Sequence, residues 1–281
     1  MAIKIINTQR VLSPTQITLA DYAINPYRGC EFGCIYCYAL QNKNIKDNNK
    51  ILGIKINAPS VLEKELRYKF PKRVLLGSTT ECFQYKESEY KITEKILILL
   101  NSRKIPYTIL TKSNLISRYL PIISENKDNK IYFTLNLSSN KLIRIFEEKT
   151  PSIEERIKAI KAIVDHKINL RIHIGPFIPY ISSLKAIMRL LPKSIEEINV
   201  ELYHHKMGNF KEIIDTIRKN FGEDTCSKIS AVYASKKNYL EFASEIEKMA
   251  ITIKNPSQEF FFILPDFDDY YNDKVDYKDG L

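Results

Sequence analysis

The sequence predicts an α/β protein whose core is a parallel β-sheet. Three observations lead there. Short apolar runs of strand character alternate with helical patterns from about residue 18 to residue 220. The chain has 281 residues, 44% apolar and 27% charged, enough to bury a substantial single core. No repeat of solenoid or propeller length interrupts the alternation.

Taken in order, a first strand fits residues 18–24, followed by a loop over 25–38 and a polar stretch over 41–50 that reads as surface loop. A short strand fits 55–57. A helix starts at Ser60, where Glu63 three residues on completes a capping-box pattern. The second strand is 73–76, followed by a polar loop over 78–88 and a helix over 93–102. The third strand is 107–111, and Ser113 can cap a helix running to about Glu125. The fourth is 131–135, with helices over 141–147 and 153–166; the latter places Ile157, Ile160 and Val164 on one face. The fifth is 170–174, with a helix over 183–191, and the sixth is 198–202, with a helix over 210–220. A helix over 238–253 and an aromatic strand over 259–263 follow. Six strand–helix units joined by right-handed crossovers build either an open, incomplete barrel or a doubly wound sheet, and in both the site lies at the C-terminal strand ends.

Composition narrows the setting. MAIKIINTQR lacks the basic start and apolar run of a signal peptide, and the longest apolar runs, 96–100 and 260–264, are far short of a membrane span. Five cysteines is an odd count for a secreted chain, so a cytoplasmic protein without membrane contact is expected. The net charge is +10, but basic residues are scattered, and the tail from residue 265 carries six aspartates against Lys274 and Lys278. The charge alone does not call for a nucleic-acid partner and does not exclude one.

The sharpest signal is Asn25-Pro26-Tyr27-Arg28-Gly29-Cys30-Glu31-Phe32-Gly33-Cys34-Ile35-Tyr36-Cys37-Tyr38. Three thiolates at C-x3-C-x2-C on one loop can bind three irons of a [4Fe–4S] cluster and leave the fourth open to a small molecule. Gly29 and Gly33 allow the tight turns this needs. A zinc site or three buried free thiols are the alternatives. Zinc prefers four closed ligands, no second C-x-x-C follows, and His204 and His205 are adjacent.

At these residues the sequence resembles the radical S-adenosylmethionine (SAM) superfamily. The flanks NPYRGC and YCYA, with GSTTECFQ, ILTKS, FEEKTPSIEER and GPFIP following in order, resemble the branch named after spore photoproduct lyase. The similarity spans roughly residues 15–210. It implies an incomplete (β/α)6 TIM-like barrel, expected over residues 1–220; residues 221–281, which the similarity does not cover, read from their own helix and strand as a C-terminal α+β extension packing on it. It implies a [4Fe–4S] cluster on Cys30, Cys34 and Cys37, SAM bound at the open iron, and an external electron donor such as flavodoxin or ferredoxin. Tyr36 would lie near the adenine. Ser78, Thr79, Thr80 and Glu81 stand where the family often has Gly-Gly-Glu and would hold the SAM amino group. Thr111, Lys112, Ser113, Thr134 and Asn136 would contact its carboxylate or ribose. Gly175 and Pro176 would line the adenine pocket. Cys82 and Tyr85, in the site loop, are candidate hydrogen-atom donors, with Cys82 equally readable as a bystander. The branch has a cysteine nearer the loop start, where this chain has Ser78. Cys226 reads as structural.

Strand alternation adds substrate candidates. Tyr132, Thr134 and Asn136 oppose an apolar face on the fourth strand, Arg171 and His173 on the fifth, and Asn199, Glu201 and Tyr203 on the sixth. With helices covering the apolar face, the polar face lines the interior. Tyr132, Arg171, His173, Glu201 and Tyr203 would then meet a small substrate rich in hydrogen-bonding groups. Glu201 could take the amidine-like edge of a purine or deazapurine, or form an ion pair with Arg171. The expected reaction is a lyase step on a modified base, splitting queuine to 7-aminomethyl-7-deazaguanine in queuosine salvage. Spore-photoproduct-type DNA repair and a non-catalytic metal-binding module are the alternatives.

Overall fold

The structure is a computed structural model that describes residues 1–41, 50–206 and 209–268. Most of the polar stretch expected as a loop, 42–49, lies outside the described residues. The strands are β1 (Ala2–Ile6), β2 (Ser13–Pro14), β3 (Tyr22–Ile24), β4 (Tyr27–Arg28), β5 (Ile51–Lys55), β6 (Val74–Leu76), β7 (Tyr107–Thr111), β8 (Lys130–Thr134), β9 (Asn169–Phe177), β10 (Glu197–Leu202) and β11 (Glu259–Ile263). The α-helices are α1 (Ala58–Glu65), α2 (Glu87–Tyr90), α3 (Ile92–Ser102), α4 (Leu120–Ile123), α5 (Asn140–Phe146), α6 (Ile153–Asp165), α7 (Leu184–Leu190), α8 (Phe210–Val232) and α9 (Lys236–Ile253).

The principal sheet has the order β11-β10-β9-β8-β7-β6-β3-β2. Each pair from β3 to β10 is parallel and in chain order, which is the six-unit series expected from the sequence. The two ends of this order are different strands that do not pair with each other, so the barrel is partial. Strand interiors such as Val74, Leu75, Leu76, Ile109, Ile131, Phe133, Ile172 and Ile198 are fully buried, as in sheets covered by helices. In α3 the stripe Ile92, Ile96, Leu97 and Leu100 is buried.

Several elements differ from expectation for physical reasons. The first strand shrinks to β3, because Ala20 N–H donates to Ile17 O and Thr15 N–H to Asp21 O, folding 15–21 into a turn. Helix α1 starts upstream of Ser60: Pro59 sits in its first turn and Asn57 flanks it without a side-chain cap. Asn57 instead uses its amide on the Thr8 backbone, at 2.8 and 2.9 Å. The helix expected over 113–125 is a 3-10 turn, Asn114–Tyr119, followed by α4. Ser113 does cap it, accepting from Leu115 N–H, and Pro121 in the first turn of α4 has no N–H to continue the ladder. The short strand expected over 55–57 lies earlier, as β5, and forms a separate sheet in the order β1-β5-β4. On α6 the buried face is Ile153, Arg156, Ala159, Ile160 and Ile163, while Ile157 and Val164 flank it.

Helix α8 runs past the expected end at residue 220: Gly222 kinks it at φ 86° and it resumes to Val232. The expected division at 220/221 falls at this kink. Beyond it, α9 packs on α7 and α8, and β11 joins the principal sheet parallel to β10.

Candidate functional site

The cysteine loop leaves β4 and turns through Gly29 (φ 89°) and Gly33 (φ 59°), a backbone region that side-chain-bearing residues rarely adopt. It is pinned on several sides. Ile35 N–H donates to Phe146 O at 3.0 Å, Glu31 N–H to Gln84 Oε1 at 2.9 Å, and Asn209 Nδ2 to Ile35 O at 3.0 Å. Thr80 Oγ1 donates to Gly29 O.

Cys30, Cys34 and Cys37 all line one cavity of about 640 Å³. Burial pushes the Cys34 thiol up to about 12, and that of Cys30 higher still. Among the described residues, no three His, Cys, Asp or Glu side chains are grouped to hold a single metal ion. Three soft thiol donors facing one cavity from one loop are nevertheless the donor set of a multi-iron cluster, each taking a separate iron. The residues fit that group, and binding it would draw off their protons.

The same cavity is lined by Tyr36, Ser78, Thr79, Thr80, Glu81, Thr111, Lys112, Thr134, Gly175 and Pro176. The Ser78–Glu81 loop is set by its neighbours. Asn25 Oδ1 accepts from Thr79 N–H at 2.9 Å, and its Nδ2 donates to Ser78 Oγ at 3.0 Å. Tyr38 donates to Ser78 O. Glu81 Oε1 accepts from Phe83 N–H (2.9 Å) and Thr111 Oγ1 (2.8 Å), and its Oε2 from Lys112 N–H (3.1 Å). Burial is the larger effect on this carboxyl and holds it above the usual range. Ser113 and Asn136 stand behind the lining. Ser113 Oγ donates to Phe83 O at 2.6 Å, and Asn136 Nδ2 reaches the Tyr36 hydroxyl at 3.1 Å and Pro176 O at 3.4 Å. Asn136 thus holds two lining residues in place, and Ser113 holds the buried Phe83 behind them.

Of the expected substrate residues, Tyr132, His173, Glu201 and Tyr203 line the cavity. Arg171 does not. The register sets Arg171 opposite Glu197 and His173 opposite Asn199, so Arg171 lies two residues nearer the N-terminal strand ends. Its Nε donates to Glu197 Oε2 at 2.6 Å, and its guanidinium lies 4.0 Å from the centroid of the Phe261 ring. The Arg171–Glu201 pair is therefore not formed. Glu201 Oε2 instead faces His173 Nε2 at 3.2 Å.

Cys82 and Tyr85 lie outside the lining. After Glu81 the chain enters the core: Cys82 and Phe83 are fully buried, and the Cys82 carbonyl accepts from Thr93 Oγ1 at 2.7 Å. Tyr85 emerges half-exposed and donates to Lys149 O at 2.8 Å. Cys226 is buried in α8, as a structural cysteine would be. The cavity also uses Asn25, Tyr38, Ile17, Leu19 and His204, which strand alternation did not single out. Asn25 and Tyr38 sit within the NPYRGC and YCYA flanks, which is the signal that could have found them.

The sequence pattern of the radical SAM superfamily matches residues 24–191, more than half of the chain, including the cysteine loop and the Ser78–Glu81 loop. The chain belongs to the radical SAM superfamily. An uncharacterized protein of Methanocaldococcus jannaschii is 27% identical to this radical SAM protein over 256 residues, 89% of this chain and 95% of the other. An uncharacterized protein of Mycobacterium tuberculosis is 30% identical over 172 residues, 57% of this chain and about half (51%) of its own length. Among solved structures, a spore photoproduct lyase complexed with dinucleoside spore photoproduct has a TM-score of 0.66 at 15% identity, covering 92% of this chain and 82% of the other. A mutant of such a lyase with bound AdoMet and the same dinucleoside has a TM-score of 0.65 at 15% identity, covering 92% and 80%. At that identity the likeness is one of fold: a mixed α/β, partial TIM-like barrel. The family implies a [4Fe–4S] cluster and SAM. No helix among the described residues is long and apolar enough to cross a membrane.

Proposed function

We propose that this radical SAM enzyme is a lyase for a nucleobase-containing substrate. The observation that carries the reading is one continuous cavity lined by the three cysteines, by the Ser78–Glu81 loop and by the His173–Glu201 pair. A [4Fe–4S] cluster held by Cys30, Cys34 and Cys37 would supply one-electron reduction of SAM, the chemistry that hydrogen-atom removal from a substrate requires. The chain's own residues bind and orient. Glu81 and the hydroxyls of Ser78, Thr79 and Thr80 accept from an ammonium. Lys112 and Thr111 meet a carboxylate. Tyr36, Gly175 and Pro176 border the adenine. Ile17 and Leu19, on the turn before β3, line the cavity and help exclude water. His173 and Glu201 read the substrate's polar edge.

Two substrates of this class are in question. The structural neighbours support a dinucleoside spore-photoproduct lesion, since their fold covers 92% of this chain. The Glu201 carboxylate on the cavity wall, together with Ser78 in the site loop, favours a deazaguanine such as queuine, whose paired N–H donors match a carboxylate. A 640 Å³ cavity falls within the roughly 300–1,000 Å³ of sites that enclose small ligands, and holding SAM as well it has room for a base rather than a duplex. A DNA lesion would enter it flipped out of the helix.

The test is anaerobic reconstitution with iron and sulfide, then SAM and dithionite, with dinucleoside spore photoproduct in one arm and queuine in the other. Consumption of either names the substrate, with 5′-deoxyadenosine accumulating where SAM is consumed and not where it is regenerated. 5′-Deoxyadenosine without turnover of either removes the nucleobase reading. Absence of both 5′-deoxyadenosine and loss of either substrate removes the radical SAM activity itself.

A further inference from the structure

Behind the cysteine loop lies a set of buried charges that the cavity lining only touches. Glu147, which follows α5, has a side chain with no solvent exposure. Its Oε1 lies 2.8 Å from Lys112 Nζ, and its Oε2 meets Arg156 Nη2 and accepts from Thr150 Oγ1 at 3.1 Å. The Arg156 side chain is also fully buried. Its Nε donates to Pro151 O at 3.0 Å, while its Nη1 has no partner. Two cations thus share one fully buried carboxylate, Arg156 buried with it and Lys112 14% exposed at the cavity wall, and the set carries one net positive charge. Glu81, the other acid at Lys112, engages its backbone N–H and faces the cavity.

The cationic end of this set reaches the loop. Lys112 Nζ is 3.6 Å from Cys34 Sγ and 2.7 Å from the Tyr36 hydroxyl, and 5.0 Å from the centroid of the Tyr36 ring. The Ile35–Phe146 backbone bond ties the loop to the residue immediately before Glu147, so the spacing is built in. A buried ion pair contributes little net stability compared with apolar packing of the same volume. What its charge does to the loop is the better account of it.

We infer that Lys112, held in place by Glu147 and Arg156, sets the reduction potential of the iron–sulfur cluster carried by Cys30, Cys34 and Cys37. A thiolate-ligated cluster gains one negative charge when it takes one electron from a low-potential donor. A fixed cation beside one ligand sulfur, in a medium that screens poorly, stabilises that reduced state and raises the potential. Glu147 is a positioning residue in this scheme: it opposes part of the positive charge and keeps the ammonium at the sulfur. The inference rests on the cluster-binding part of the proposed function and not on its substrate.

The experiment is a redox titration of reconstituted, substrate-free protein, followed by the electron paramagnetic resonance signal of the reduced cluster. Lys112→Met removes the cation, leaves the Glu147–Arg156 pair, and is expected to shift the midpoint to a more negative potential. Glu147→Gln keeps an amide oxygen for Lys112, removes the negative charge, and is expected to shift it the opposite way. Lys112→Arg is expected to stay near the wild type. Shifts of opposite sign are what a merely structural role would not produce. A Lys112→Met midpoint equal to that of the wild type, or shifts of the same sign in the Lys112 and Glu147 variants, overturns the inference. If Glu147→Gln does not fold with Arg156 unpaired, the Lys112→Met and Lys112→Arg comparison decides alone. Iron and sulfide content on the same samples separates the failures. Wild-type protein that takes up no cluster overturns the cluster reading and this inference with it; a loaded cluster indifferent to charge overturns this inference only.

Discussion

His173 Nε2 and Glu201 Oε2 stand 3.2 Å apart beside the Cα of Gly175, and a Cβ added at Gly175 would lie 2.2 Å from that same Nε2. The imidazole–carboxylate pair therefore depends on a residue without a side chain. Gly175→Ala is expected to push the ring away from Glu201 and reduce product formation by roughly 10²-fold, the scale of a misplaced contact. Cluster content should stay at the wild-type level. Anaerobic turnover alongside iron analysis checks this, and an alanine variant with full turnover would show that the pair does not order the substrate.

Glu81 accepts three hydrogen bonds from Phe83, Thr111 and Lys112 while buried. Glu81→Gln replaces one acceptor oxygen with a donor that must face an existing donor. The expected cost is about 1–3 kcal/mol of stability, and a SAM affinity weaker by roughly tenfold or more. Thermal unfolding and equilibrium SAM binding measure the two effects separately.

His205 packs its ring against Tyr233 and Phe267, at centroid distances of 5.0 and 4.8 Å. Burial, then the neighbouring His204 and Lys206, hold its pKa down to about 4, against 6.5 for an ordinary histidine. Below pH 6.5 the unfolded chain binds a proton here that the folded chain refuses until about pH 4. Stability is therefore fully present above pH 6.5 and declines as pH falls toward 4. Discounted for the ring's partial exposure, the decline is about 1 kcal/mol, or roughly 2–4 °C in Tm. His205→Phe should flatten the Tm profile across this window.

Glu65 ties the N-terminal segment to α1. Its Oε2 accepts from Val11 N–H (2.8 Å) and Leu12 N–H (2.9 Å), and its Oε1 pairs with Lys69 (2.6 Å). Burial alone would raise its pKa, but the hydrogen bonds from Lys69, Leu12 and Val11 together outweigh burial and hold the carboxyl below the usual range. The stability it supplies is present above the ordinary glutamate pKa and is lost as pH falls through the lowered value. Glu65→Gln should cost about 2 kcal/mol, or roughly 4–8 °C in Tm. Its acid unfolding should also be less steep than that of the wild type.

Local signals carried much of the fold. The strand at Tyr107–Thr111 and the aromatic strand at Glu259–Ile263 are legible from the sequence to the residue, because apolar runs bounded by polar turns show their own limits. The cap at Ser152 is equally local, with Glu155 completing a capping box. The helix expected from Ser113 breaks at Pro121, whose missing N–H acts within one turn and is itself a local signal. By contrast, β1 pairs with β5 some fifty residues later, in a register running from Ala2 opposite Ile51 to Ile6 opposite Lys55. Nothing in five residues of either strand announces that partner.

The cysteine loop and the parallel sheet follow from spacing and periodicity, properties of a few consecutive residues that any chain conformation must respect. Which polar side chains reach the cavity does not follow from them. Arg171 and His173 lie on the same face of β9, yet the register against β10 sets Arg171 opposite Glu197, which it pairs with, and His173 opposite Asn199, from where its ring reaches Glu201. Cys82 follows Glu81 directly, yet only Glu81 borders the cavity. Glu147 and Arg156 carry no local mark of the burial and pairing that the fold imposes on them beside Lys112. Each of these outcomes depends on how elements distant in the chain pack together, and that packing exists only once the sheet and its helices have assembled.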